Sequence, residues 1–66
     1  MQITLNGKTR EIDSDCTIAG LLQMLNLKAE QVAVEHNRNI VMRTEFDTCV
    51  LKEGDRIEIV NFVGGG

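Results

Sequence analysis

The residues in this sequence best suited to nucleophilic or metal chemistry are two cysteines and one histidine. Cys16 directly precedes a predicted helix, whose positive dipole end would lower the pKa of a thiol. His36 falls in a predicted strand, and nothing in the sequence brings it to Cys16. An activated thiol needs a partner, so we interpret Cys16 as a buried or bystander residue. Both cysteines fit reduced thiols, although the sequence leaves open a disulfide between them. Cys16, His36 and Cys49 also lack the paired spacing typical of zinc ligands, which argues against a metal site.

Paired carboxylates and glycine-rich segments are the other common sources of chemistry, and neither predicts a catalytic centre here. Asp13 with Asp15, and Glu53 with Asp55, occupy positions typical of a helix cap and a turn. The run Gly64–Gly66 is followed by no helix that could offer N–H groups to a phosphate. We therefore expect no catalytic residue, no metal and no cofactor bound by the chain itself, and we do not expect an enzyme.

The most distinctive chemical group is the α-carboxylate of Gly66. A carboxylate is a poor electrophile, so another enzyme would have to activate it as an acyl-phosphate or acyl-adenylate. Glycine has no Cβ, so a run of three glycines would fit a narrow channel and bend inside it. The run consists of Gly64, Gly65 and Gly66. The four residues from Val63 would reach roughly 13–14 Å, at about 3.3–3.6 Å per residue. We expect residues 63–66 to form a flexible tail that enters the active site of a partner.

Length and composition limit the other functions that are open to the chain. Sixty-six residues suit one domain with a small core and little room for an enclosed active site. The net charge is −3 and only two aromatic residues are present, which argues against nucleic acid as a partner. No apolar run approaches the roughly 18 residues that span a bilayer, and the N-terminus does not resemble a signal peptide. We expect a cytoplasmic protein without a membrane partner.

Two patterns predict the first half of the fold. Alternating residues on either side of Asn6-Gly7 indicate a β-hairpin closed by a two-residue type I′ turn. A helix is then predicted by one apolar face at helical spacing, formed by Ile18, Leu21, Leu22 and Leu25. Asp15 or Thr17 would cap this helix, Asn26 would end it, and Gly20 suggests close packing against a sheet.

The second half returns to strand periodicity. Val32 and Val34 share a face of one strand, residues 37–39 form a turn, and a brief strand is expected around residues 49–51. After a turn at residues 54–55, a last strand places Ile57 and Ile59 on one face. We predict an α+β fold of the β-grasp kind over residues 1–62, with a mixed four- to five-stranded sheet and one helix packed across it.

Strand parity also predicts a candidate docking surface. If Ile57 and Ile59 face the helix, Val60 and Phe62 lie on the opposite face, next to the tail. An exposed apolar pair there would suit docking of an activating enzyme. The alternative is that Phe62 folds over the edge of the domain and completes the core.

The order of elements, the segment "EGDRIEIVNFVGGG" and the terminal Gly-Gly together resemble the ThiS family of ubiquitin-like sulfur carriers in thiamin biosynthesis. The similarity runs over essentially the whole chain, including the "NG" hairpin, "TIAGLLQML" and "VAVEHNRNIVMR". The chain departs from the usual family pattern at His36, where an aliphatic residue is common, and at Met42, where proline is common.

The resemblance implies a carrier cycle in which the catalysts are other proteins. A partner related to ubiquitin-activating enzymes would use ATP and magnesium to adenylate the Gly66 carboxylate. Sulfur drawn from cysteine by a desulfurase would then displace AMP and leave a thiocarboxylate, which thiazole synthase would use to build the thiazole ring. Three alternatives remain open: sulfur delivery to another acceptor, such as molybdopterin or a tRNA base; a ubiquitin-like interaction domain without carrier activity; and a thiol-dependent redox protein that uses Cys16.

Overall fold

The computed structural model of the protein describes residues 1–62, which form a five-stranded mixed sheet crossed by one α-helix. The strands are β1 (Gln2–Leu5), β2 (Lys8–Glu11), β3 (Val32–His36), β4 (Asn39–Val41) and β5 (Arg56–Asn61). Their order across the sheet is β2-β1-β5-β3-β4; β1 and β5 are parallel, and the other neighbours are antiparallel. This is the predicted α+β, ubiquitin-like β-grasp arrangement.

Two tight turns close the β1–β2 and β3–β4 hairpins. Asn6 and Gly7 both have positive φ, at 49° and 84°, and so do Asn37 and Arg38, at 50° and 73°. Two consecutive residues with positive φ are the requirement of a type I′ turn, whose twist matches that of the flanking strands. The hairpin predicted from Asn6-Gly7 and the turn predicted at residues 37–39 are both confirmed.

The helix α1 spans Ile18–Met24. The Thr17 hydroxyl caps the start of the helix by accepting a hydrogen bond from the Gly20 N–H at 3.0 Å. Asn26, with a φ of 59°, redirects the chain after the end of the helix. Its buried face contains Ile18, Leu21 and Leu22, as the periodicity predicts. Of the residues that the structure describes, none belongs to a helix long and apolar enough to cross a membrane.

The core lies between α1 and one face of the sheet. Its buried side chains come from the helix, from three of the strands and from the loops between them: Ile3, Ile12, Ile18, Leu21, Leu22, Val32, Val34, Phe46, Leu51 and Ile57. Burial of this apolar surface is the main favourable term in folding, at about 25 cal/mol per Å² removed from water.

Two local predictions are wrong. Gly20 does not pack closely against the sheet, because a Cβ built there would meet only Cys16 Sγ at 3.4 Å and Thr17 Oγ1 at 3.5 Å. The brief strand expected around residues 49–51 is reduced to an isolated bridge between Thr17 and Val50. The segment before it contains a 3₁₀ turn at Arg43–Glu45, and a second 3₁₀ turn at Ala29–Gln31 leads into β3.

Candidate functional site

Strand β5 determines where the C-terminal segment leaves the domain. Asn61 pairs with Val32, and the Phe62 N–H donates a hydrogen bond to the Gln31 carbonyl at 3.0 Å. The backbone is therefore held against the domain as far as Phe62. The predicted tail, residues 63–66 with Gly66 at its end, lies outside the described residues.

Next to Phe62, the sheet face opposite the helix has a cluster of exposed apolar side chains. Val60 is 61% exposed, Phe62 is 60% exposed and Ile40 is 74% exposed. Ala33 is the direct neighbour of Val60 across β3 and β5, and it lines one shallow concavity with Ile40 and Phe62. We call Ala33, Ile40, Val60 and Phe62 the apolar patch. The strand parity predicted from the sequence is thus present, and Phe62 is outside the buried core.

The same sheet face becomes charged toward the start of β5. Glu35 and Glu58 are direct neighbours across β3 and β5, and Arg56 Nε lies 3.5 Å from Glu58 Oε2. Val60 and Phe62 therefore lie near the exit of the C-terminal segment, whereas Ile40 lies opposite Glu35, in the same row across the sheet as Glu58. A partner that covers the apolar patch would meet polar groups at its rim, as in most protein interfaces.

A second cluster of reactive side chains lies at the start of β5, and it joins Cys49, His36 and Asp55. Cys49 Sγ lies 3.6 Å from His36 Nδ1, and His36 Nε2 lies 2.6 Å from Asp55 Oδ2. Asp55 also accepts hydrogen bonds from the Lys52 backbone N–H at 2.9 Å and from the Asn37 side-chain amide at 3.2 Å. The three residues have the connectivity thiol–imidazole–carboxylate.

The protonation of this cluster follows from its surroundings. Burial tends to raise the pKa of Asp55, but hydrogen bonds from His36, the Lys52 backbone and Asn37 outweigh it and leave the pKa below its ordinary value. Burial raises the pKa of the Cys49 thiol, and the nearby carboxylates of Asp55 and Glu45 raise it further. The resting state therefore contains a carboxylate and a protonated thiol.

The surroundings of Cys16 do not activate its thiol. The helix dipole does not dominate its pKa, which is raised by burial and then by the Asp13 carboxylate. The N–H groups at the helix start are already satisfied, since Ile18 N–H donates to the Cys49 carbonyl at 3.0 Å and Ala19 N–H to the Phe46 carbonyl at 2.9 Å. The Cys16 thiol itself lies against the Thr17 carbonyl, at 3.3 Å.

The contact between Cys49 and His36 is the feature that sequence reasoning missed. The sequence places the two residues in separate elements, and only the pairing of β3 with β5 brings His36 opposite Ile57, next to Asp55. The sequence does place His36 directly before one turn and Asp55 directly after another. Residues that flank turns at the same end of a sheet can be neighbours, and this was the available signal. Within residues 1–62, no group of three His, Cys, Asp or Glu side chains is arranged to hold a metal ion.

Comparisons with known proteins identify relatives over the whole length of the chain. A sequence model described as the ThiS family matches residues 3–66. The sulfur carrier protein ThiS of Bacillus subtilis is 40% identical over 65 residues, which cover 97% of this chain and 98% of that protein. The crystal structure of the thiamine biosynthesis protein ThiS from Geobacter metallireducens superimposes with a TM-score of 0.84 at 38% identity, and all of both chains is covered.

A longer type of relative contains a segment similar to this sequence. The thiazole synthase of Magnetococcus marinus is 44% identical over 66 residues, which are 100% of this chain but 20% of that protein. The thiazole synthase of Paramagnetospirillum magneticum is 36% identical with the same coverage. The chain thus spans about a fifth of the length of these two relatives.

Proposed function

Since the chain belongs to the ThiS family, we propose that it is a sulfur carrier of thiamin biosynthesis whose reactive group is the α-carboxylate of Gly66. The observation behind this proposal is the end-to-end similarity to the Bacillus subtilis carrier, which covers 98% of that protein. The family match also extends through residue 66, so the glycine run belongs to the matched sequence.

The proposed chemistry converts the Gly66 carboxylate into a thiocarboxylate in two steps. A partner enzyme uses ATP and magnesium to form the acyl-adenylate and releases pyrophosphate. Hydrosulfide, released by a thiol reductant from the persulfide of a cysteine desulfurase, then attacks the acyl carbon. The acyl C–O bond breaks, and AMP leaves with that oxygen. The carrier supplies the acyl group and its own recognition surface, while the catalytic groups and the magnesium site belong to the partner.

We assign the apolar patch to the docking of this adenylating partner. Val60 and Phe62 lie on the last strand and directly after it, so a protein that covers them is adjacent to residues 63–66. Four residues span roughly 13–14 Å when extended, which is enough to take Gly66 from the patch into an active site. Val63 begins this segment. Gly64 and Gly65 have no Cβ, so the chain at these positions is thin enough to pass through a narrow channel.

Thiazole synthase is the proposed acceptor of the sulfur. Two proteins named thiazole synthase contain a segment similar to this whole chain. A segment attached to an enzyme has a high effective concentration at its active site, so covalent attachment is favoured where the two parts act together. This arrangement supports delivery of sulfur from the present chain to a thiazole synthase.

Genetic deletion tests the assignment to the thiamin pathway. A strain that lacks this chain is expected to require thiamin, and the thiazole moiety alone should restore its growth. Re-expression of the full sequence should also restore growth, whereas a variant without Gly65 and Gly66 should not. Growth of the deletion strain without thiamin would refute the pathway assignment.

A further inference from the structure

We propose that Cys49, His36 and Asp55 form a second reactive site, in which the Cys49 thiol exchanges with small disulfides, with preference for cationic ones. This site goes beyond the proposed carrier function, because it uses none of the residues of the apolar patch or of the C-terminal segment. The inference rests on three observations: the contacts among the side chains, the way the backbone fixes each of them, and the charges that face the thiol.

The contacts define a role for each side chain. The Asp55 carboxylate can only accept, so the His36 Nε2 that lies 2.6 Å from it carries a proton. When the imidazole is neutral, its Nδ1 is therefore an acceptor, and it lies 3.6 Å from Cys49 Sγ. Asp55 is thus a positioning residue that sets the tautomer of His36, and His36 is the general base for the thiol.

The backbone holds all three residues in register before any reaction. Cys49 is fixed on both sides, because its N–H donates to the Glu45 carbonyl at 2.9 Å and its carbonyl accepts from Ile18 N–H at 3.0 Å. His36 lies between Asn39 and Ile57 in the sheet. Such preorganisation lowers the entropic cost of bringing a nucleophile and its base together.

The protonated thiol makes the base necessary. Burial and the carboxylates of Asp55 and Glu45 raise the pKa of Cys49, so little free thiolate is present at neutral pH. Cys16 has a raised pKa as well, but its thiol contacts the Thr17 carbonyl rather than an imidazole. Cys16 is therefore a matched control within the same molecule.

The proposed reaction is a balanced thiol–disulfide exchange. The Cys49 sulfur attacks one sulfur of R–S–S–R as its proton passes to His36 Nδ1; a new Cys49–S–S–R bond forms and the old S–S bond breaks. The leaving thiolate takes the proton from His36 and departs as R–SH. The disulfide is the oxidant, and it is reduced as Cys49 is oxidised.

The charges around the thiol select the class of disulfide. Asp55 and Glu45 are the charged groups that act on Cys49 in addition to His36. Two carboxylates near the sulfur attract a cation and repel an anion. Cystamine, a dication, should therefore react faster than oxidised glutathione, which is anionic.

The site lies at the opposite end of β5 from Val60 and Phe62 of the apolar patch. Asp55 precedes the strand and Phe62 follows it, and seven residue steps at about 3.3 Å each separate them by roughly 23 Å. A variant without Gly65 and Gly66 should therefore form the Cys49 adduct at the normal rate. Failure of this proposal and failure of the carrier proposal are consequently distinguishable.

The test follows adduct formation at each cysteine by peptide mass mapping after reaction of the full chain with cystamine. At neutral pH the adduct should form at Cys49 roughly ten-fold faster than at Cys16, or more. In urea, where the contacts are lost, the two thiols should react at similar rates. Equal rates in the folded chain would overturn the proposal, and this comparison requires no substitution.

Two variants test the roles of the partners. His36→Gln and Asp55→Asn should each slow the Cys49 reaction at neutral pH, His36→Gln by roughly ten-fold and Asp55→Asn by less. At alkaline pH, where the thiol ionises without a base, both should approach the wild-type rate. A loss that is the same at both pH values, or no loss at all, would contradict general-base assistance. Oxidised glutathione that reacts as fast as cystamine would contradict the preference for cationic disulfides.

Discussion

At the residue scale, Asp55 connects more of the structure than any reactive group in the sequence analysis. Its carboxylate accepts hydrogen bonds from three groups: the side chains of His36 and Asn37, which are adjacent in sequence, and the backbone N–H of Lys52. The side-chain oxygen of Asn37 in turn accepts a hydrogen bond from the backbone N–H of Arg56 at 2.8 Å. The loop before β5 is therefore tied to the β3–β4 turn by charge-assisted hydrogen bonds, which are among the stronger ones in proteins.

The Asp55 network predicts a specific dependence of stability on pH. The folded pKa of Asp55 lies below its ordinary value of 3.8, so the unfolded chain binds more protons in this range. Its contribution is full above the unfolded pKa and is lost as the pH falls through the folded pKa. Urea unfolding at a series of acidic pH values should show that Asp55→Asn flattens this part of the profile.

The exposed Asp47 provides the matched control for this substitution. Asp47→Asn should leave the acid dependence of the free energy of unfolding close to that of the wild type. If the two variants have the same pH profile, the network around Asp55 contributes no pH-dependent stability.

The sequence predicted the residue types at this site but not their contact. No spacing rule links Cys49 to His36, because a thiol–imidazole pair can come from distant parts of a chain. At Cys16, the helix dipole does not lower the thiol pKa. Burial, the Asp13 carboxylate and carbonyl acceptors at the helix start decide that environment instead.

At the scale of elements, α1 is a short helix that depends on its contacts with the rest of the domain. Seven residues are too few for a stable isolated helix in water, so the buried face and the end contacts must hold it. Thr17 caps one of its N–H groups, and the carbonyls of Phe46 and Cys49 accept two others. The loop that carries Cys49 is therefore part of the support of the helix.

Two glycine substitutions of opposite expected sign test this view of the elements. Gly20→Ala should stabilise the protein by up to about 1 kcal/mol, because alanine favours the helix and its Cβ meets only ordinary contacts. Gly7→Ala should destabilise it by about 1–2 kcal/mol, because the φ of 84° in the turn is unfavourable for a residue with a Cβ. Urea unfolding measures both, and a destabilising Gly20→Ala would mean that position 20 is more tightly packed than it appears.

Local patterns predicted most of the elements. The Asn6-Gly7 turn, the apolar helix face and the alternation around Ile57 each depend on residues close in sequence, so periodicity and turn chemistry reveal them. The strand order, with β5 between β1 and β3, depends on contacts between distant segments. The segment at residues 49–51 has strand-like composition, but it lies beside the helix start and forms only one bridge.

At the scale of the whole molecule, β5 connects two surfaces with different chemistry. Its end leads to the apolar patch and toward residues 63–66, and its start lies beside Asp55 and the Cys49 thiol. The first surface is assigned to docking and transfer of sulfur, and the second to exchange with disulfides. A small domain can support both because they occupy opposite ends of one strand.

Substitutions of the two phenylalanines distinguish a role in docking from a role in stability. Phe46 is 4% exposed and Phe62 is 60% exposed. Phe46→Ala should lower the free energy of unfolding by about 3–5 kcal/mol, whereas Phe62→Ala should change it by less than about 1 kcal/mol. In an assay of pyrophosphate release with the adenylating partner, Phe62→Ala should raise the KM for the carrier. A large loss of stability in Phe62→Ala would instead assign this ring to the core.

The most direct test of the carrier function is the intact mass of the chain after reaction with the adenylating partner, magnesium, ATP, a desulfurase with cysteine, and a thiol reductant. The account predicts the mass gain for replacement of one oxygen by one sulfur, located in the peptide that ends at Gly66. A variant without Gly65 and Gly66 should show no gain. An unchanged mass, or sulfur found on an internal residue such as Cys49 alone, would contradict the assignment of Gly66 as the site that carries sulfur.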